Sequence, residues 1–190
     1  YVEGRCVVDL VGRREDKAYG ADSLQNAFSC SKCVSAVLMA MMVDKGYLKY
    51  DEAVSSYWPE FAKNGKEKIK VSDVLRHQSG LLKFKKRINV EWTSRENIKL
   101  NKIGAIIEEE EMEQFLGTKR EYHAVTRDWI LNEIFRRVEP RGRTMGEYLA
   151  EELKNTDVYC GLPKSESYRC YDVQTKNFLT SFVNLFLPQS

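Results

Sequence analysis

The chain has 190 residues, 43% hydrophobic and 31% charged, a globular composition long enough for one domain or for part of a larger one. Its net charge of +2 gives no basis for nucleic acid or an anionic membrane as the main partner. The longest apolar run, Ala36–Val43, falls far short of the roughly 20 residues that a membrane span needs.

In chain order, the β-branched and apolar residues of Arg5–Val11 predict a strand. Gly12 and the charged residues after it read as a turn, and a second short strand is expected near Lys17–Gly20. From Ser29 the pattern changes to helix. Ser29–Lys45 is apolar on nearly all sides, which predicts a buried helix, with Gly46 just past its end. Asp51 is placed to cap a short helix that Trp58-Pro59 ends. Residues 64–66, NGK, are a turn, and Ser72 or Asp73 starts another short helix. Residues 83–107 read as loops with one short helix; the basic stretch 83–87 and the acidic run EEEEME at 108–113 read as surface. A second strong helix is expected over Ala124–Val138, after Gly117, and Pro140 and Gly142 break it. Thr144 and Glu147 form a capping-box pattern at the head of a further helix. The tail, 177–190, is apolar and reads as helix. The one N-terminal hairpin cannot stand alone in water, so it needs helices or other strands to pack against.

The five cysteines, Cys6, Cys30, Cys33, Cys160 and Cys170, lack the spacing of a disulfide framework. They predict free thiols and a reducing, intracellular compartment. Cys30 and Cys33 form a C-x-x-C without a second ligand pair, so thiols packed beside the helix start are expected rather than a zinc or redox centre. No metal or cofactor is expected. The chain opens on Tyr1 rather than Met, so its N-terminus is expected to lie upstream.

Ser29-Cys30-Ser31-Lys32 sets a hydroxyl one helical turn from an amine, where the apolar helix begins. One reading is an ordinary helix start, with serine as N-cap and lysine in solvent. The other is a nucleophile and its activator. Positions i and i+3 share a helix face. The partial positive charge of a helix start stabilises an alkoxide. A poorly solvated lysine loses basicity and can take the serine proton.

Several further segments stand in order along the chain: DKGYLKYDEAV at 44–54, YWPEF at 57–61, VLRHQSGL at 74–81 and KREYHAVTRDWILNEIFRRVEPRGRTMGEYL at 119–149. With Phe28–Lys32, this ordered set resembles the serine β-lactamase-related superfamily, in its class C and carboxylesterase-like branch. The resemblance implies an α+β, β-lactamase/transpeptidase-like fold. The present chain would supply mostly its helical region (29–190) after short N-terminal strands (1–28). It also implies a serine hydrolase that works through an acyl-enzyme. Ser29 would be the nucleophile, with Lys32 and Tyr122 as its proton-transfer pair. The backbone N–H of Ser29 would hold part of the oxyanion. Cys30, His123 and Ala124 are the candidate substrate-facing residues; His123 either lines the pocket or fills space. His77 is expected to be a hydrogen-bonded support in its turn.

Two departures shape the expected substrate. Ala124 stands where the superfamily has the asparagine that binds an amide, which favours carboxylic esters over β-lactams and D-Ala-D-Ala peptides. No Lys-Thr-Gly or His-x-Gly follows Tyr159; TKN at 175–177 lacks the glycine. The chain is therefore expected to be the N-terminal part of a longer domain, inactive by itself, with the late sheet strands missing. A small ester or acyl compound is the expected partner, and a second copy of the chain another. The contrasting expectation is a non-catalytic binding or self-assembly module of the same fold.

Overall fold

The computed structural model of the chain describes residues 1–10, 19–112, 119–154 and 156–171. The expected features at Val11, Lys17, Gly117, Glu113, 175–177 and the tail lie outside the described residues. Two units form: Phe28–Gly161, and Tyr1–Ala27 with the residues from Leu162 on.

Phe28–Gly161 holds the core and, among the described residues, all six α-helices. Helix α1, Ser31–Asp44, ends as its sequence suggests: Lys45 N donates to Met41 O, and Gly46 takes a positive φ of 74°. Its burial differs from expectation. Leu38, Met39 and Met42 are buried, but Cys33 and Ala40 are exposed, and Val37 is 56% exposed. An apolar helix surface sets what can be buried; only a neighbour buries it. Among the described residues, the neighbours cover one side of α1.

After α1 come two 3-10 turns, Val54–Ser56 and Pro59–Ala62. Asp51 caps neither; Ala53 precedes the first turn and makes no side-chain cap bond. Pro59 opens a turn rather than closing one, because its fixed φ suits a first helical position. Trp58 and Phe61 are fully buried, with ring centroids 5.2 Å apart. Helix α2, Val71–Leu75, follows, and Asp73 Oδ2 accepts from Lys70 N at 2.9 Å. The carboxylate thus caps from the third helical position rather than the first.

The stretch 83–107 is more helical than its composition suggests. It contains α3, Arg95–Lys99, and the start of α4, Gly104–Glu109. Ser94 Oγ accepts from Asn97 N to start α3. The acidic run is not all surface. Glu109 and Glu111 are exposed, whereas Glu108 and Glu110 are buried. Glu108 Oε1 accepts from Trp58 Nε1 at 2.9 Å, and both Glu110 carboxylate oxygens accept from Lys85 N. Lys66, fully buried, donates to the carbonyls of Glu108 and Glu110.

Helix α5, Thr126–Val138, packs on α1. Ile130, Leu131, Ile134 and Phe135 face the core, each fully buried. Each such side chain contributes roughly 1.5–3 kcal/mol relative to exposure. Glu133, also fully buried, accepts from Arg136 at 2.8 Å and Arg137 at 2.5 Å. Helix α6, Met145–Glu152, carries the expected capping box: Thr144 Oγ1 accepts from Glu147 N, and Glu147 Oε2 accepts from Thr144 N. Among the described residues, no helix is long and apolar enough to cross a membrane.

In the other unit, the strand expected at Arg5–Val11 does not form over residues 5–10. Val2 and Arg5 pair across a tight turn, with Glu3 and Gly4 at positive φ, and residues 6–10 have no regular structure. A β-rich composition makes a strand only where another backbone completes the ladder. That condition is met briefly by Leu24: its N–H donates to Arg169 O at 2.7 Å, and its carbonyl accepts from Tyr171 N at 3.1 Å.

Candidate active site

The site begins at a 3-10 turn, Phe28–Cys30, that leads into α1. Phe28 has φ 45°, a left-handed conformation that is rare for so bulky a residue. Ser29 follows, exposed, and its Oγ lies 2.6 Å from the Tyr122 hydroxyl.

Tyr122 sits on an extended segment ahead of α5. Its neighbours on both sides are pinned to the turn after α2. Glu121 N donates to His77 O at 3.1 Å, and His123 N donates to His77 Nδ1 at 3.0 Å. His77 adopts φ 61°, and its ring centroid lies 5.0 Å from that of Tyr122. The histidine thus serves as the support expected of it.

His123 points the other way. Its ring is 1% exposed. Nδ1 donates to Glu121 O at 2.6 Å, which leaves Nε2 to accept from Ser79 Oγ at 3.0 Å and Leu81 N at 3.2 Å. Of its two open readings, space-filling is the one its position fits. A buried ring with both nitrogens engaged ties 121–123 to 79–81.

Lys32 approaches from the first turn of α1. Its Nζ lies 5.3 Å from the Tyr122 ring centroid and donates to Ala124 O at 2.8 Å. It also lies 3.6 Å from Asp128 Oδ2. The lysine side chain is 14% exposed, so it is poorly solvated as expected, but its company is ionic rather than apolar. No motif in the sequence marks Asp128. It lies in the first turn of α5, where a carboxylate is unremarkable beside a helix start. Only folding brings it to Lys32. Asp128 Oδ1 is itself held, accepting from Ser35 Oγ at 2.9 Å and Arg127 Nη1 at 2.6 Å.

These contacts set the titration of the site. The hydrogen bond between Tyr122 and Ser29, then that from Lys32 and the lysine's charge, hold the Tyr122 phenol below its ordinary range; burial and Asp128 oppose them. Burial pushes His77 and His123 down, and Arg127 adds to the effect on His77. The arrangement can do one thing chemically. A phenolate stabilised by an adjacent ammonium can accept the proton of the serine hydroxyl hydrogen-bonded to it.

Ser29 and Lys32, from the start of α1, therefore come together with Tyr122, 90 or more positions further along the chain. Ala124 lies beside them through its carbonyl, while its side chain offers no polar group. Cys30 and Cys33 are exposed rather than packed beside the helix start as expected. With one side of α1 uncovered, nothing among the described residues buries them.

The family described as Beta-lactamase matches over residues 1–181. Esterase/beta-lactamase LipL of Mycobacterium tuberculosis is 30% identical over 88% of this chain and 39% of its own. Among solved structures, a penicillin-binding protein homolog from Caulobacter crescentus is 37% identical with a TM-score of 0.71, over 83% of this chain and 42% of its own. EstA from Arthrobacter nitroguajacolicus is 31% identical with a TM-score of 0.70, over 80% of this chain and 40% of its own. A family VIII carboxylesterase is 30% identical with a TM-score of 0.71. The chain spans about two fifths of the length of these relatives. The mostly helical architecture with few strands, the expected portion of a β-lactamase/transpeptidase-like fold, agrees with these matches. On sequence and fold together, the chain belongs to the beta-lactamase family.

Proposed function

We propose that the protein is a serine hydrolase that acts on carboxylic esters through an acyl-enzyme. The observation that carries this reading is the 2.6 Å contact between Ser29 Oγ and the Tyr122 hydroxyl, with the Lys32 ammonium beside the phenol ring. In acylation, Tyr122 as phenolate takes the Ser29 proton while Oγ attacks the ester carbonyl carbon. The oxyanion is held in part by the Ser29 backbone N–H at the head of the helical turn. Tyr122 then returns the proton to the leaving alcohol. Water enters, Tyr122 accepts its proton as the water oxygen attacks the acyl carbon, the bond to Ser29 Oγ breaks, and Tyr122 returns the proton to Oγ as the acid is released. The Lys32 amine, beside the phenol ring and 3.6 Å from Asp128 Oδ2, favours the phenolate. Ala124 presents a methyl group where an amide-binding side chain would be needed, which ranks esters ahead of β-lactams and peptides. The family VIII carboxylesterase among the similar structures supports the same ranking, and LipL is named both esterase and beta-lactamase.

The test uses chain 1–190 and the longest natural form of the protein. A fluorophosphonate probe should label Ser29 in both, and Ser29→Ala should abolish labelling. The natural form should hydrolyse short-chain 4-nitrophenyl esters faster than nitrocefin. Folded protein that resists the probe, or penicillin turnover without ester hydrolysis, would overturn the proposal.

A further inference from the structure

Cys30 and Cys33 take no part in the chemistry proposed above. Both are exposed, and both are free thiols. They stand three residues apart, Cys30 as the N-cap of α1 and Cys33 within its first turn. We propose that this pair is a redox-modification site, closing to an intramolecular disulfide under peroxide and reopening under a dithiol reductant. The inference does not depend on Ser29 being a nucleophile.

The local geometry carries it. Residues three apart on a helical path have Cα atoms about 5 Å apart. A disulfide accepts roughly 4.4–6.8 Å. The Cβ atoms need more adjustment, because neighbours on a helix face lie about 5–6 Å apart and a disulfide draws them to about 3.5–4.5 Å. Cys30 is the residue free to make that move. It has helical dihedrals, φ −62° and ψ −24°, yet it lies at the junction of the 3-10 turn and α1 and makes no side-chain cap bond. Cys33 is the third residue of the helix. Both residues are exposed, which opens the pair to an oxidant in solvent.

The step balances simply. One thiolate attacks a peroxide oxygen, forming a sulfenic acid and releasing water. The second thiol attacks that sulfur, the S–S bond forms, and a second water leaves. Two thiols thus lose two electrons and two protons to one hydrogen peroxide.

Lys32 lies between the two cysteines, which supplies the test. Trypsin cuts after Lys17, Lys32 and Lys45, so it separates peptide 18–32 from peptide 33–45. Folded chain 1–190 is treated with hydrogen peroxide, blocked with iodoacetamide and digested without reductant. The two peptides should emerge joined, two hydrogens lighter than the free pair, and dithiothreitol should part them. Cys30→Ser and Cys33→Ser should each abolish the joined species, with circular dichroism unchanged. A Cys6→Ser/Cys160→Ser/Cys170→Ser variant should keep it. Recovery of the two peptides apart, whether as sulfinic or sulfonic acids or as alkylated thiols after excess peroxide, would overturn the proposal. So would a link that appears only in urea.

Discussion

Replacing Tyr122 by Phe removes one oxygen and leaves the ring. That oxygen makes the 2.6 Å contact with Ser29 Oγ. If Tyr122 is the base, its loss removes the acceptor for the serine proton, and a positioned general base is worth about 10²–10⁴ in rate. Fluorophosphonate labelling of Ser29 should therefore slow by roughly that factor. Stability should hardly change. The side chain is 55% exposed, the segment is held through the backbone atoms of Glu121 and His123, and the ring stays beside His77. Labelling rates followed by gel fluorescence, beside a thermal melt of the same sample, separate lost chemistry from lost fold. A Tyr122→Phe protein that melts like the parent and labels at the parent rate would refute the assignment of the phenol as base.

Labelling of the parent should rise with pH to a plateau, with a midpoint below the ordinary phenol value of about 10. Lys32→Met removes a positive charge that favours the phenolate, so the midpoint should move up; Asp128→Asn removes a charge that opposes it, so the midpoint should move down. Glu133→Ala should lower the free energy of urea unfolding by about 3–5 kcal/mol, because Arg136 and Arg137 lose a fully buried carboxylate. His77 and His123 titrate below their unfolded value, so the unfolded state takes up protons first. Stability present above about pH 6.5 should fall as pH drops below it, and thermal melts between pH 7.5 and 5 should show the loss.

The parts of the fold legible in the sequence were those with local causes. The capping box at Thr144 and Glu147, the stop at Gly46 and the core face of α5 each follow from residues within a turn or two. Asp128 was missed because its partner lies 96 positions away, and in sequence it reads only as a carboxylate near a helix start. The acidic run misled for a related reason. Glu108 and Glu110 turn inward only because Trp58, Lys85 and Lys66 arrive from elsewhere to satisfy their side chains and carbonyls. Cys30 and Cys33 misled in the opposite direction: an apolar helix suggested cover on every side, and cover is a property of neighbours. Ser29, Lys32 and Tyr122 stand out through their motifs, and His77 as a hydrogen-bonded support, but that His77 holds the neighbours of Tyr122 emerges only in three dimensions.

Phe28 bears on how this surface would evolve. At φ 45°, a residue with a Cβ costs roughly 1–2 kcal/mol relative to one that tolerates the left-handed region, and a ring 62% exposed recovers little of that by burial. Glycine at this position relieves the strain. A library selected for thermal resistance alone should thus drift to glycine immediately before the serine.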